Sequence, residues 1–300
     1  MKLTKRLNVD NPRSLGLALV LPAVLAVLIV LAVPFFYSLL LSFQRYDLSR
    51  PQTNAFIWFT NYANLLSDPY FLNSLRVTLV FALVSMALEL VLGIGIALVL
   101  NERFRGRGLL RGLIILPWAL PSIVNAAMWQ WIYNADYGAL NALLHQLGLI
   151  EEYRVWLADP GWAMALLILA NVWKETPFTA ILVLAGLQGI PDALYEAAKV
   201  DGASVLQRLT QITLPLLRPV IIVAALLQVI WSFQTFELVY VVTQGGPFGS
   251  TEILPVRIYA TTFRSLRFGY GASMAYLTGL ILIVPAFFYI RSAYRSIVEY

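Results

Sequence analysis

Glu196-Ala197-Ala198-Lys199-Val200-Asp201-Gly202-Ala203, running on to Ile212-Thr213-Leu214-Pro215, is a polar interruption between two long apolar runs. Pro191 suits the first turn of a helix, where its missing N–H costs nothing. Asp192 and Glu196 place negative charge near that helix's positive end. The helix is expected to run to about Val200 and to break at Asp201-Gly202, since glycine readily takes the left-handed conformation of a helix end. A second helix is expected from about Ser204, with Val205, Leu209 and Ile212 on one face. Leu214-Pro215 and Pro219 are expected to end it. Each piece is too short to cross a bilayer and marginal alone in water. Small side chains at Ala193, Ala197, Ala198, Gly202 and Ala203 make a flat knob suited to a groove on another protein.

The surroundings of this loop explain why it stands out. The 300 residues are 60% hydrophobic and only 12% charged, with a mean hydropathy of +0.75. Soluble domains carry about 25% charged residues, so the chain lacks a water-facing surface. Its composition is that of an all-α polytopic membrane protein. Zero cysteines exclude a disulfide framework and any thiolate metal site, and the single histidine, His145, makes a histidine-ligated metal implausible. No metal site is expected, and the net charge of +5 belongs to loops at the membrane rather than to nucleic-acid binding.

Six apolar segments stand out, over 15–41, 71–100, 112–133, 161–187, 219–243 and 270–290. Each is long enough to cross a bilayer, which takes about 20 residues. The first is too long for a signal-peptide core and lacks a small-residue cleavage site, so no cleavable leader is expected. An even number of spans puts both termini on one side. That side holds Lys2, Lys5, Arg6, Arg13, Arg103, Arg105, Arg107, Arg111, Lys199, Arg208, Arg218, Arg291 and Arg295. The other holds Arg45, Arg50, Arg154, Arg257, Arg264 and Arg267, a ratio of 13 to 6. Basic residues accumulate inside, so the termini and the 188–218 loop are expected in the cytoplasm of a cell-membrane protein surrounded by lipid. The organisation expected is a cytoplasmic segment over 1–14 and one transmembrane domain over 15–300. Outside, Gly138 to Leu144 reads as a short amphipathic helix at the interface, and Trp58, Trp156 and Trp162 fall near span ends, as aromatic belts do.

Glu196-Ala197-Ala198, three residues, Gly202, nine residues and Ile212-x-Leu214-Pro215 resemble the EAA loop of ABC importer permeases. Asp201 before Gly202 and Pro219 beyond the second helix are similar to the carbohydrate-importer branch. Arg111-Gly112-Leu113-Ile114-Ile115-Leu116-Pro117-Trp118, Trp173-Lys174-Glu175-Thr176-Pro177-Phe178 and Thr243-Gln244-Gly245-Gly246-Pro247 resemble segments of maltose-type permeases in matching order. The chain is similar to the shorter members of that group, such as trehalose, maltodextrin or glycerol-phosphate permeases. The resemblance implies the type I ABC importer permease fold, with six transmembrane helices. It implies that Glu196, Ala197, Ala198, Asp201, Gly202, Ile212, Leu214 and Pro215 form a coupling element seated on an ATPase subunit. The implied partners are a second homologous permease, two ATPase subunits that bind ATP and Mg, an extracytoplasmic solute-binding protein and a sugar. The chain contains no Walker-type glycine loop and is not expected to hydrolyse ATP. The 244–269 loop, with Gly245, Gly246 and Pro247, is the expected contact for the binding protein.

Polar groups inside the spans mark a path. An ionisable side chain at mid-depth costs about 2.5–3.5 kcal/mol on insertion scales, so it faces the protein interior. Glu89, Lys174 and Glu175 lie well within spans. Lys174 and Glu175 project about 100° apart, which predicts no simple pair between them. Glu89 shares a face with Ser85 and Gly93 and reads as structural. Asn171, Glu175 and Phe178 form one helical stripe, Gln228, Trp231, Ser232 and Thr235 another, and Asn125 and Trp129 a third. Hydrogen-bonding groups beside aromatic faces suit a carbohydrate better than an ion. Interhelical hydrogen bonding is the alternative for any one of them. A transporter driven by an ion gradient is the alternative for the whole chain, but no convincing internal repeat supports it.

Overall fold

The computed structural model describes the backbone over residues 12–298; side chains over 1–15, at 17, 18, 285 and 286, and over 288–300 fall outside that description. The segment 1–11 and the terminal basic residues used to orient the chain lie outside it as well. The chain divides into two units, 1–64 with 261–277, and 65–260 with 278–300.

In the first unit, α1 (Pro12–Ser42) leads into a hairpin of β1 (Gln44–Arg45) and β2 (Ala55–Phe56), paired antiparallel. None of the most apolar window of α1 is buried within the chain, as expected for a helix whose solvent is lipid. The turn of α2 (Thr60–Leu65) begins under the hairpin. Asn61 there is buried, and its Nδ2 donates to the carbonyls of Ser42 and Gln44 at 2.9 Å each. The hairpin is also laced to the segment before the last helix. Leu48 N–H donates to the Leu266 carbonyl at 3.0 Å, and Gly269 N–H to that of Tyr46 at 3.1 Å.

The second unit is built on α3 (Pro69–Asn101) and α8 (Pro160–Gln188), packed along much of their length. Asp68 and Asp159 cap them by accepting from the N–H groups of Tyr70 and Trp162. Gly93 permits the close approach: a Cβ there would come within 2.6 Å of the Thr179 methyl carbon. Between them in sequence lie α4 (Arg107–Ile114), α5 (Leu116–Ala119), α6 (Ser122–Ile132) and α7 (Ala139–Gln146). After α8 come α9 (Asp192–Val200), α10 (Val205–Arg208), α11 (Leu214–Gln234), α12 (Glu237–Val242) and α13 (Leu254–Tyr259). The last helix, α14 (Phe268–Val298), begins in the first unit. One apolar cluster includes Val77, Phe81, Leu167 and Val239; another includes Ala97, Leu100, Val183 and Leu217. Along α3 and α8 the polar residues Ser85, Glu89, Asn171 and Thr179 fall between the two, all buried.

Among the described residues, four helices are long and apolar enough to cross a membrane, and a fifth candidate is a bent pair. The expected third span, 112–133, is that pair: residues 107–119 and 122–132 meet at 90°. Pro121 pushes Leu120 into an extended conformation, ψ 135°, which no straight helix accommodates. The expected fifth span, 219–243, is interrupted as well. Helix α11 stops at Gln234, Thr235 is extended, and the short α12 follows. For the sixth segment, 270–290, the described apolar part is Phe268–Val284.

The interfacial helix expected near 138–144 is α7, but its surroundings are more ordered than a surface helix requires. Asn141 is fully buried and organises the loop. Its Nδ2 donates to the carbonyls of Ala135 and Arg154, and its Oδ1 accepts from Trp156 Nε1 at 2.7 Å. Trp156 therefore belongs to the core, whereas Trp58 and Trp162 are exposed as belt residues should be. Asn141→Ala strands the buried indole N–H of Trp156, at about 1–3 kcal/mol, together with two part-buried carbonyls and the Arg154 N–H. The expected outcome is faster proteolysis within 134–158 and a lower melting temperature in detergent. Wild-type values for both would contradict the role given to Asn141.

Candidate solute cavity and coupling loop

A proline-directed break before α6 and a second break after α11, at Thr235, frame a cavity of about 340 Å³ in the second unit. The bend before α6 brings Trp118, Ser122 and Asn125 to one side, and the end of α11 brings Trp231, Ser232, Gln234 and Thr235 to another. Helix α8 supplies Asn171, Lys174 and Glu175, and α12 supplies Glu237 and Leu238. Of the nine residues expected on a path, Asn125, Asn171, Glu175, Trp231, Ser232 and Thr235 line this cavity.

The other three do not line it, for distinct reasons. Trp129 packs edge-on to Trp173 at 5.6 Å and against Tyr133. Gln228 is buried, its Nε2 donating to Thr179 Oγ1 at 2.8 Å and to the Glu175 carbonyl at 3.2 Å. Phe178 lies behind the wall, stacked on Trp118 at 5.7 Å and in edge contact with Trp231 at 4.7 Å. Helical periodicity identified the correct helix faces but not which helix each residue meets. Trp118, Ser122, Lys174, Gln234, Glu237 and Leu238 line the cavity and were not among the nine. The signal for Trp118 and Ser122 was Pro121 itself, a bend that brings its flanks inward.

The cavity carries polar groups of both kinds. Asn171 Nδ2 donates to Glu89 Oε1 at 2.9 Å, so Asn171 both lines the space and fixes α3 to α8. Asn125 Oδ1 is buried and has no partner among the described residues, leaving an acceptor at the cavity wall. Lys174 Nζ and Glu175 Oε1 are 2.8 Å apart, with 14% of each side chain exposed. This corrects the expectation that sequence neighbours would not pair. The four-carbon lysine stem is long enough to swing back across the helix face, and an isolated charge at this depth is costlier than the bent rotamer.

The polar loop folds largely as its residues dictate. Helix α9 covers Asp192–Val200, with Pro191 as the residue preceding it rather than its first turn. Gly202 has φ +78°. Around it, the Gly202 N–H donates to the Lys199 carbonyl and the Ala203 N–H to that of Ala198 at 2.8 Å. Ser204 caps α10 through a reciprocal capping box with Gln207. The second helix does not end at Leu214-Pro215 or Pro219. It continues through a π-helical turn, Leu209–Thr213, into α11, so that one helical rod spans Val205–Gln234. Pro215 falls in the first turn of α11, where its missing N–H is tolerated. Tyr195 Oη and Thr213 Oγ1 lie 3.0 Å apart, tying α9 to this rod. Val200, Val205 and Leu206 are largely exposed on the loop.

A bundle of apolar helices around a polar, aromatic-lined cavity, with a glycine-bent loop fused to one spanning helix, defines a membrane permease. The family model described as binding-protein-dependent transport system inner membrane component matches residues 89–297, and the chain belongs to that family. It is a multi-pass membrane protein and the permease subunit of an ABC importer, a transport component rather than an enzyme. The chain is 39% identical to the trehalose/maltose transport system permease protein MalF of Thermococcus litoralis, over 96% of each chain. It is 35% identical to the sulfoquinovosyl glycerol transport system permease protein SmoG of Agrobacterium fabrum, over 93% of this chain and 90% of that one. A bacterial ABC transporter involved in the import of the acidic polysaccharide alginate contains a chain of the same fold. It matches with TM-score 0.80 and 25% identity over 94% of this chain and 95% of that one.

Proposed function

We propose that this permease carries a sugar, a di- or oligosaccharide, through the cavity lined by Trp118, Asn125, Asn171, Glu175, Trp231, Ser232 and Thr235. The observation that carries the reading is the wall itself. Trp118 and Trp231 flank the half-buried Phe178 and offer aromatic faces for sugar rings. Asn125 lines the wall and its Oδ1 has no partner among the described residues, so a small rotation of the amide presents an acceptor to a hydroxyl donor. Relatives named for trehalose/maltose and for sulfoquinovosyl glycerol support a carbohydrate cargo.

Energy enters through the 188–218 loop. In this reading the termini and the loop are cytoplasmic, and Glu196, Ala197, Ala198, Asp201, Gly202, Ile212, Leu214 and Pro215 form the element that docks on an ATPase subunit. The exposed Val200, Val205 and Leu206 supply apolar contact. ATP and Mg are held by two such ATPase subunits, and a second permease chain completes the translocation path. On the opposite side, Gly245, Gly246 and Pro247 contact the solute-binding protein. Their loop is pre-shaped: Gly245 has φ +89°, and Thr251 Oγ1 donates to the Gly246 carbonyl at 2.6 Å.

Trp231→Ala removes one stacking face, worth about 0.5–1.5 kcal/mol beyond area for an aromatic pair, and opens the wall. In the assembled transporter this is expected to lower uptake about 3–10-fold while leaving binding-protein-stimulated ATP hydrolysis in place. Unchanged uptake kinetics would remove the cavity from the path.

A further inference from the structure

We propose that a polar pocket in the first unit, lined by Arg45, Arg50 and Arg267, holds the phosphate headgroup of an anionic phospholipid. The pocket measures about 510 Å³ and is also lined by Asp47, Asn61 and Thr60. Its lining thus includes three arginines and one carboxylate. Asp47 accepts from the Ser49 hydroxyl and N–H, and the Ser49 hydroxyl bond is the chief cause holding its carboxyl below the usual range. It therefore counts as charged, leaving two net positive charges for a ligand.

Composition makes this unusual. In the topology proposed above, the outer loops carry six basic residues, and three of them line this one pocket. Loops on the side poorer in basic residues ordinarily shed them, so a cluster there implies an anion to hold. Guanidinium forks match phosphate oxygens in paired hydrogen bonds.

Placement argues for a lipid as the source. Arg45 follows the end of α1 at Ser42 by three residues, and Arg267 immediately precedes α14 at Phe268. Asp47 and Arg267 are joined by an antiparallel bridge. The pocket thus sits where two apolar helices emerge, at headgroup depth. Beside it, the same hairpin exposes Trp58 and Phe59, with Trp58 edge-on to Phe56 at 4.8 Å. Exposed aromatics at this level embed in the interface. Protein interfaces favour aromatics as well, so binding-protein affinity is part of the test. The inference is independent of the sugar reading.

The test uses the complete transporter in nanodiscs. Phosphatidylglycerol retained after exchange into phosphatidylcholine is counted by native mass spectrometry for the wild type, for Arg45→Gln/Arg50→Gln and for the control Arg264→Gln. Arg267 is left intact because it lies over the Tyr270 ring and serves the fold. With about 1 kcal/mol per basic group at the surface, the double variant is expected to hold phosphatidylglycerol about 30-fold more weakly, and the control to match the wild type. Inorganic phosphate added to phosphatidylcholine discs is expected not to protect the pocket arginines from phenylglyoxal, whereas phosphatidylglycerol does. Equal retention by the double variant overturns the proposal. So does protection by inorganic phosphate alone, which makes the ligand a free anion, and so does a loss confined to binding-protein affinity, which makes the pocket a protein contact.

Discussion

A Gly202→Val permease is expected to insert and fold yet transport about 5–30-fold less than the wild type. Gly202 stands at φ +78°, and nothing lies within 4 Å of where a Cβ would be. Space is therefore not the obstacle. The left-handed backbone is, because a Cβ there costs about 1–2 kcal/mol, a factor of about 5–30 in the population of the bent form. The bend sets α9 against the helical rod that begins at Val205, and Tyr195 with Thr213 clamps that angle. Relaxing the strain by straightening the turn would move Glu196 away from the surface we assign to the ATPase. Glu196→Lys is expected to give the same loss through charge reversal, with the backbone untouched. Gly202→Asn, which tolerates the left-handed region, should recover part of the activity. Uptake and binding-protein-stimulated ATP hydrolysis in proteoliposomes measure this. Normal uptake by both Gly202→Val and Glu196→Lys would end the coupling assignment.

Lys174→Met is expected to damage the protein more than the double change Lys174→Met/Glu175→Gln. The 2.8 Å pair is nearly enclosed, and removing one member strands the other charge, at up to about 3–5 kcal/mol. Replacing both members leaves no uncompensated charge. The single variant should show a lower melting temperature and poor recovery from membranes, and the double variant near wild-type recovery. Uptake by the double variant should still fall, since both side chains line the cavity. If the single and double variants are equally stable, the pair is not what neutralises Glu175.

Much of the 188–218 loop was legible because its rules are local. Gly202 ends α9 where glycine was expected to, and Ser204 with Gln207 carries its own capping signature. The continuation past Pro215 and Pro219 was not legible. Proline in a first turn and proline at a helix end look alike in sequence, and only the π-helical turn at 209–213 distinguishes them. The bend at Leu120-Pro121 had a local cause, yet hydropathy averaged over 112–133 hid it. Of the nine residues grouped by the period of 3.6, six line one cavity. The period could not tell that Gln228 and Phe178 would be used up by Thr179, Trp118 and Trp231.

Composition, hydropathy and the residues from Glu196 to Pro215 were enough for the class, the membrane and the helix–glycine–helix shape of the 188–218 loop. These depend on solvent partition and on contacts a few residues apart, which a linear chain records. The cavity, the Lys174–Glu175 pair, the Glu89–Asn171 bond and the three-arginine pocket were decided in three dimensions. They join groups as far apart as Arg45 and Arg267 or Glu89 and Asn171. Where a polar side chain goes in a bundle depends on which neighbour its helix meets, and helix pairing is a property of packing.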